Sequence, residues 1–403
     1  MRIAYLSFEY PSGISGGGIG TYIGQVSRLM AERGHAVEVF TAAPANKSFS
    51  ASENGCLINF VPVSGRRSFP EDVLSTFRGR HDLYPFDLIE SPEYGADAIA
   101  IKKEYPHLPL ILKLHTPSFL TAALNAYKRR PVDKIRYVAG ALLRLQRVNP
   151  YWRYRKAGDP EYSLYKMADA VSSPSNSLAE IVSRKWGQRQ IDIIPYPFEK
   201  KMQTDFHSAT PDSPFIVTFI GRIERRKGVA DLIKAIPAII KRHPDTVFRL
   251  VGEAVPSPQR GLMMDEYLRN MAGRYAHLLE FTGLLPQQAI PEMIRQSHVC
   301  IFPSLWENFP NVCLEAMLEG KAVIGTGNGG MADMISDGSD GLLIPPGKPG
   351  AIACAVNRLG SDRALLDRLG KNARQTVLAK YNGETIGALN ESFYYKTLAA
   401  CRK

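Results

Sequence analysis

The pattern that most constrains this chain is a strand, a glycine-rich loop and an amphipathic helix, met at the N-terminus and again after a break in the middle. Arg2 to Ser7 is apolar enough for a buried strand, and SGGGIG follows at Ser15 to Gly20. The next segment, TYIGQVSRLMAERGH, sets Ile23, Val26, Leu29 and Met30 on one helical face and stops at Gly34. Further strands are expected at Val37 to Thr41, Asp87 to Glu90 and Leu110 to Leu114. A helix is expected to begin near Pro174, where Ser177 and Glu180 have capping-box spacing. From Ile194 to Pro214 the periodicity fades, and then the alternation restarts with FIVTFI, TVFRLV, LLEFTG, HVCIFPS and KAVIGT. Strands separated by helices build parallel, doubly wound sheets.

At 403 residues the chain exceeds what one hydrophobic core serves. The expected class is therefore α/β, with two Rossmann-like doubly wound parallel-sheet domains in series. The first takes residues 1–200 and the second 201–383, and the last helix, about 384–403, is expected to pack back on the first. In such sheets ligands bind beyond the C-terminal ends of the strands.

Composition narrows the function. No apolar run is long enough to span a bilayer, and the N-terminus reads as a strand rather than a signal peptide. The five cysteines are scattered and form no CxxC pair, which fits a reducing, cytoplasmic compartment and argues against zinc or a disulfide framework. A net charge of +11 points to an acidic partner such as a nucleotide, an anionic polymer or a phospholipid surface.

The densest chemistry lies in PSLWENFPNVCLEAMLEG, Pro303 to Gly320. Glu307 and Glu315 stand eight positions apart, about 2.2 turns, so on one helix they would face different ways. Pro310 resolves the spacing, because proline is tolerated only in the first turn. The helix must start near Pro310 or Asn311, with Glu307 in the loop before it and Glu315 one turn inside. The unpaired amides of Asn311 and Val312 then offer a phosphate site, flanked by carboxylates suited to hydroxyl groups.

Three further features carry chemistry. Gly16, Gly17, Gly18 and Gly20 let backbone approach an anion, but they do not spell GxGxxG, whose third position would fall on Thr21 or Ile23. A dinucleotide site is disfavoured. Gly221 to Gly228 reads GRIERRKG, where Arg222 offers a planar fork and Lys227 a flexible point charge to a diphosphate. His115 ends the strand LILKLH, where it would face a ligand cleft. The stretch 127–156 holds ten Lys or Arg, one acid, Asp133, and the aromatics Tyr127, Tyr137, Tyr151, Trp152 and Tyr154. That mixture fits an anionic membrane surface or a phosphorylated acceptor better than nucleic acid.

In this order and spacing the motifs resemble the retaining glycosyltransferases of family 4, which have the GT-B fold of two facing Rossmann-like domains with a cleft between them. The resemblance rests on SGGGIGTY, LH at His115, GRIERRKG, VGE at 251–253, FTG at 281–283, PSLWENFPNVCLEAM and GTGNGGMADMISDGSDGLLIPPG. It implies a nucleotide-sugar donor, with UDP expected, and a glycan, lipid-linked or small-molecule acceptor, in cell-surface polysaccharide or glycoconjugate synthesis. It implies that Arg222 and Lys227 hold the donor diphosphate and that Glu307 meets donor-sugar hydroxyls. By the same resemblance Glu315 binds the ribose, and the Phe309, Pro310, Asn311 and Val312 segment supplies amides. His115 then contacts the sugar near the reacting carbon, and Gly17 and Gly18 close over the phosphates. No metal and no cofactor is implied, and the chain has no DxD pair.

Two departures from the family pattern stand out. Pro310 sits where glycine is common and has no N–H, so Asn311 and Val312 must supply the amides. Asp333, in GGMADMI, replaces a usual glutamate. A nucleotide-sugar epimerase of the same fold and a non-enzymatic polyanion-binding protein are the alternative readings. The oligomeric state is not legible.

Overall fold

A computed structural model of the chain describes residues 1–14, 17–43, 47–126, 135, 138–140, 143, 154–198 and 214–402. The chain divides into two compact α/β units. The first comprises Met1–Ser173, Ala179–Ile194 and Gly387–Lys403, and the second Pro174–Leu178 and Pro195–Ile386. The boundary expected at residue 200 falls among residues 199–213, outside the described residues; the units part at Ile194. No pattern in the sequence marks the short Pro174–Leu178 segment, which belongs to the second unit although both its neighbours in sequence belong to the first.

The first unit is built on strands β1 (Arg2–Leu6), β2 (Ala36–Ala42), β3 (Phe49–Glu53), β4 (Cys56–Val61), β5 (Leu88–Pro92), β6 (Leu110–Lys113), β7 (Ala170–Ser173) and β8 (Asp192–Ile193). They lie in the order β3-β4-β2-β1-β5-β6-β7-β8. Only the β3–β4 pair is antiparallel among the pairings described. Asn54 and Gly55, with φ of 50° and 78°, make the two-residue turn that such a hairpin needs. Central strands buried on both faces must be apolar almost throughout, and β1, β2 and β6 are. The charged exceptions are Lys113 of β6 and Glu38 of β2, whose buried carboxylate receives Arg2, both prongs of Arg80 (2.8 and 2.9 Å) and Asn59 (3.1 Å).

The second unit holds β9 (Ile216–Ile220), β10 (Val247–Val251), β11 (Leu279–Gly283), β12 (Val299–Phe302), β13 (Ala322–Thr326) and β14 (Leu342–Ile344). Their order, β11-β10-β9-β12-β13-β14, reverses direction between β9 and β12. Val217 and Phe219 of β9, Phe248 and Leu250 of β10, and Val299 and Ile301 of β12 pack with Leu232, Ile236 and Val356 from the covering helices into one buried core. That core fixes the strand ends, and the strand ends carry the loops described below.

Two local expectations need correction. The first helix starts at Gly18, so Gly18 and Gly20 are inside it rather than in the preceding loop, and Gly16 lies outside the described residues. Gly20 is closely packed: a Cβ there would stand 3.3 Å from the Tyr10 amide nitrogen. The capping box at Ser177 does not form. The helix begins one residue earlier, at Asn176, and the hydroxyl of Ser175 accepts from the Leu178 amide at 3.2 Å.

Candidate functional site

The reversal between β9 and β12 is the place where adjacent strand ends diverge and leave a crevice. Two loops meet there. After β9 the chain forms Gly221–Gly228, ending in a tight turn over Arg225–Lys227. Gly228 takes φ 72°, and a Cβ on it would lie 1.8 Å from the Pro303 carbonyl oxygen. Only glycine allows both the left-handed backbone and that approach. The Leu305 amide then donates to the Arg226 carbonyl at 2.9 Å, joining the second loop to the first.

A third loop, after β13, supports the second from behind. The Gly330 amide donates to the Glu307 carbonyl at 2.8 Å, and a Cβ at Gly330 would lie 1.4 Å from the Asn308 carbonyl oxygen. Asn308 also receives the Ser175 hydroxyl at 2.8 Å, and the indole of Trp306 donates to the Ser177 hydroxyl at 3.2 Å. The Phe309 ring is buried edge-on between Tyr196 and Tyr381, with centroids 5.5 and 5.6 Å away. Phe309 therefore anchors the loop by its side chain.

The helix Asn311–Leu318 starts where Pro310 requires, with Pro310 as its N-cap and no side chain capping that end. Its first-turn amides at Asn311 and Val312 have no partner within the helix by geometry. The Asn311 side-chain oxygen is buried without a hydrogen-bond partner among the described residues. Glu315 is buried one turn further along.

The charged groups gather around Glu307. Its Oε1 receives Lys227 Nζ at 2.7 Å and Arg226 Nη1 at 2.9 Å. The other prong of Arg226 reaches Glu224 Oε1 at 2.8 Å. Arg222 is the open member, with its side chain 63% exposed and 3.9 Å from the same Glu224 oxygen. Lys227 is thus not the loose point charge expected from the sequence, since Glu307 holds it. Arg222, Arg225, Arg226 and Lys227 outnumber Glu224 and Glu307, so the two loops retain excess positive charge at a strand-end crevice. Such an arrangement binds a dianion next to a carboxylate that can accept from hydroxyl groups.

Asp333 has a structural task. Its carboxylate accepts from the Asn176 amide at 2.9 Å and the Asn176 side chain at 2.8 Å, at the start of the Asn176–Trp186 helix.

In the first unit, His115 follows β6 and is buried. Its ring meets Tyr22 edge-on with centroids 5.2 Å apart, and its amide donates to Glu93 Oε2 at 2.8 Å. Burial, helped by nearby Lys113, holds the imidazole well below its usual range, so it is neutral at pH 7. Burial and the neighbouring Glu161 push the Glu93 carboxyl up to about 8. Glu161 in turn accepts from the amides of Gly95 (3.0 Å) and Ser118 (2.8 Å), which fixes the loop after His115. The Gly17 amide donates to Glu9 Oε2 at 3.1 Å, and the space where a Cβ of Gly17 or Gly18 would stand is open.

The basic stretch 127–156 falls mostly outside the described residues. Of its aromatics Tyr154 is described, and it packs internally: it donates to Asp159 and accepts from the Trp186 indole at 2.7 Å. Sequence reasoning missed Arg226, Glu224, Asn308 and Glu93. The run ERRK gives no hint which cation turns inward, and a lone Asn or Glu in a loop carries no spacing signal.

Comparison with known proteins identifies the family and the fold. Residues 17–197 match the glycosyl transferase 4-like domain, and residues 201–376 match glycosyl transferases group 1. A glycogen synthase of Mycobacterium tuberculosis is 23% identical, over 98% of this chain and 94% of its own. In structure the chain resembles sucrose-phosphate synthase from Thermosynechococcus elongatus, with a TM-score of 0.72, 22% identity and 99% of each chain covered. It also resembles Anabaena HepE solved in complex with UDP-glucose, with a TM-score of 0.65, 17% identity and 99% and 100% covered. These neighbours have the GT-B fold of two parallel-sheet α/β domains. The chain belongs to the family-4 glycosyltransferases, and it is a glycosyltransferase.

Proposed function

We propose that the protein transfers a sugar, with retention of anomeric configuration and without a metal ion, from a UDP-sugar bound on the second unit. The observation that carries this reading is the cationic pair of loops at the β9–β12 reversal, closed by a helix start that no side chain caps. Arg222 and Lys227 neutralise the diphosphate, and the Asn311 and Val312 amides hold its oxygens. Glu315 takes the ribose, Glu307 the sugar hydroxyls, and the buried Asn311 oxygen accepts from a further hydroxyl. UDP is favoured because HepE, a structural neighbour, was solved with UDP-glucose.

In the transfer, the bond from the anomeric carbon to the β-phosphate oxygen breaks and its electron pair stays on that oxygen. The acceptor hydroxyl attacks the same face and passes its proton to the departing phosphate. Positive charge fixed at Arg222 and Lys227 stabilises the leaving group more as the bond lengthens. The acceptor is a glycan, a lipid-linked glycan or a small molecule, used in cell-surface polysaccharide or glycoconjugate synthesis.

Among the described residues no helix is long and apolar enough to cross a membrane. Residues 127–156 dock the protein on the anionic cytoplasmic face of the membrane, and indifference to anionic vesicles at low salt would remove that part. The test of function is a panel of UDP- and GDP-sugars, with nucleotide release and the product's anomeric signal followed by NMR. Acceptor-dependent release with retention supports the reading. A new sugar epimer formed without acceptor, or binding without turnover, contradicts it.

A further inference from the structure

We propose that Arg226 is a positioning residue, which keeps Glu307 on the sugar side of the donor site when Lys227 turns to the diphosphate. This rests on the donor reading above. Lys227 and Arg226 share a single oxygen, Glu307 Oε1, at 2.7 and 2.9 Å. A diphosphate arriving at this crevice competes with Glu307 for the lysine, whose flexible stem lets the ammonium turn. Left alone, the carboxylate would either keep the lysine or be repelled by the incoming dianion.

Arg226 is built to prevent both. One prong holds Glu307, the other holds Glu224 Oε1 at 2.8 Å, and its own carbonyl is tied to the Leu305 amide at 2.9 Å. A planar guanidinium bridging two carboxylates has little freedom to follow the phosphate. The Glu307 backbone is likewise pinned by Gly330 at 2.8 Å. The resting ion cluster is therefore a placeholder: Glu307 neutralises the phosphate-binding lysine until the donor arrives, and Arg226 then retains it.

The test is calorimetric titration of the full chain with UDP, in a double-mutant cycle. Arg226→Gln should weaken UDP binding about fivefold or more, because Glu307 then stays on Lys227, whereas the same change on a Glu307→Gln background should cost less than about twofold. Arg226→Lys should behave like Arg226→Gln, since a point charge cannot bridge two carboxylates. Equal weakening in both backgrounds, or rescue by lysine, would mean that Arg226 acts as plain positive charge and overturns the proposal. Lys227→Ala separates the underlying reading. If it leaves UDP affinity unchanged, or if the wild-type chain binds no UDP, the donor site itself is misplaced and the role of Arg226 falls with it. Melting temperatures of all variants show whether a loss of binding is a loss of fold.

Discussion

Lys227 and Glu307 meet at 2.7 Å across the two loops that follow β9 and β12, although 80 positions separate them in sequence. Their side chains are 17% and 12% exposed, so neither charge is well solvated alone. The pair links the proposed diphosphate ligand to the proposed sugar ligand.

Replacing Lys227 by Ala removes charge from the leaving group while Glu307 keeps Arg226 as a partner at 2.9 Å. The fold should survive, and turnover should fall by roughly 10² to 10³, the usual cost of one transition-state charge contact. Nucleotide release under saturating donor and acceptor measures it. Turnover within a fewfold of wild type would show that Lys227 is not on the leaving group.

Gly228→Ala should destabilise the second unit by more than about 2 kcal/mol, since it combines backbone strain with a steric clash. The residue has φ 72°, and the added Cβ would come within 1.8 Å of the Pro303 carbonyl oxygen. Chemical denaturation reads the loss. Full stability would mean that the two loops are not packed as described.

Glu93 makes a pH prediction. Its carboxyl moves from an ordinary 4.5 up to about 8 in the folded chain, through burial first and Glu161 second. Between those values the folded chain keeps a proton that the unfolded chain has lost, so this group's contribution to stability falls as pH rises. Lys113 works oppositely but in another window: burial lowers it from 10.5 to about 7, so its contribution rises with pH between 7 and 10.5. Glu93→Gln keeps an oxygen for the His115 amide and removes the titration. Its melting temperature should gain on wild type from pH 5 to pH 7, and parallel curves would refute the buried acid.

Chelation tests the metal-free reading. With EDTA present and with added magnesium or manganese, turnover should be unchanged. Loss with EDTA and recovery with a divalent ion would contradict it.

How much was legible in the sequence differs from place to place. The helix start at Asn311 was readable because proline forbids an earlier one. The strands β1, β2, β6, β9 and β12 were readable because burial on both faces demands apolar runs. β3 is not legible as an apolar run, since FSASE has none; Asn54-Gly55 is the signal that pairs it with β4, CLINFV. β7, AVSS, is short and polar in appearance and is seen only once β6 pairs with it. In the site, residue type and spacing pointed to Arg222, Lys227 and Glu307 as ligands. The Arg226 bridge and the Asp333 cap arise from side-chain directions that no spacing encodes.

The most direct measurement is a crystal structure of the chain grown with UDP or its UDP-sugar. The diphosphate should lie against Lys227 Nζ and the Asn311 and Val312 amides, with the ribose on Glu315 and Glu307 still held by Arg226. A nucleotide bound at the Gly17–Gly18 turn instead, with Lys227 still on Glu307, would contradict the assignment of the donor site.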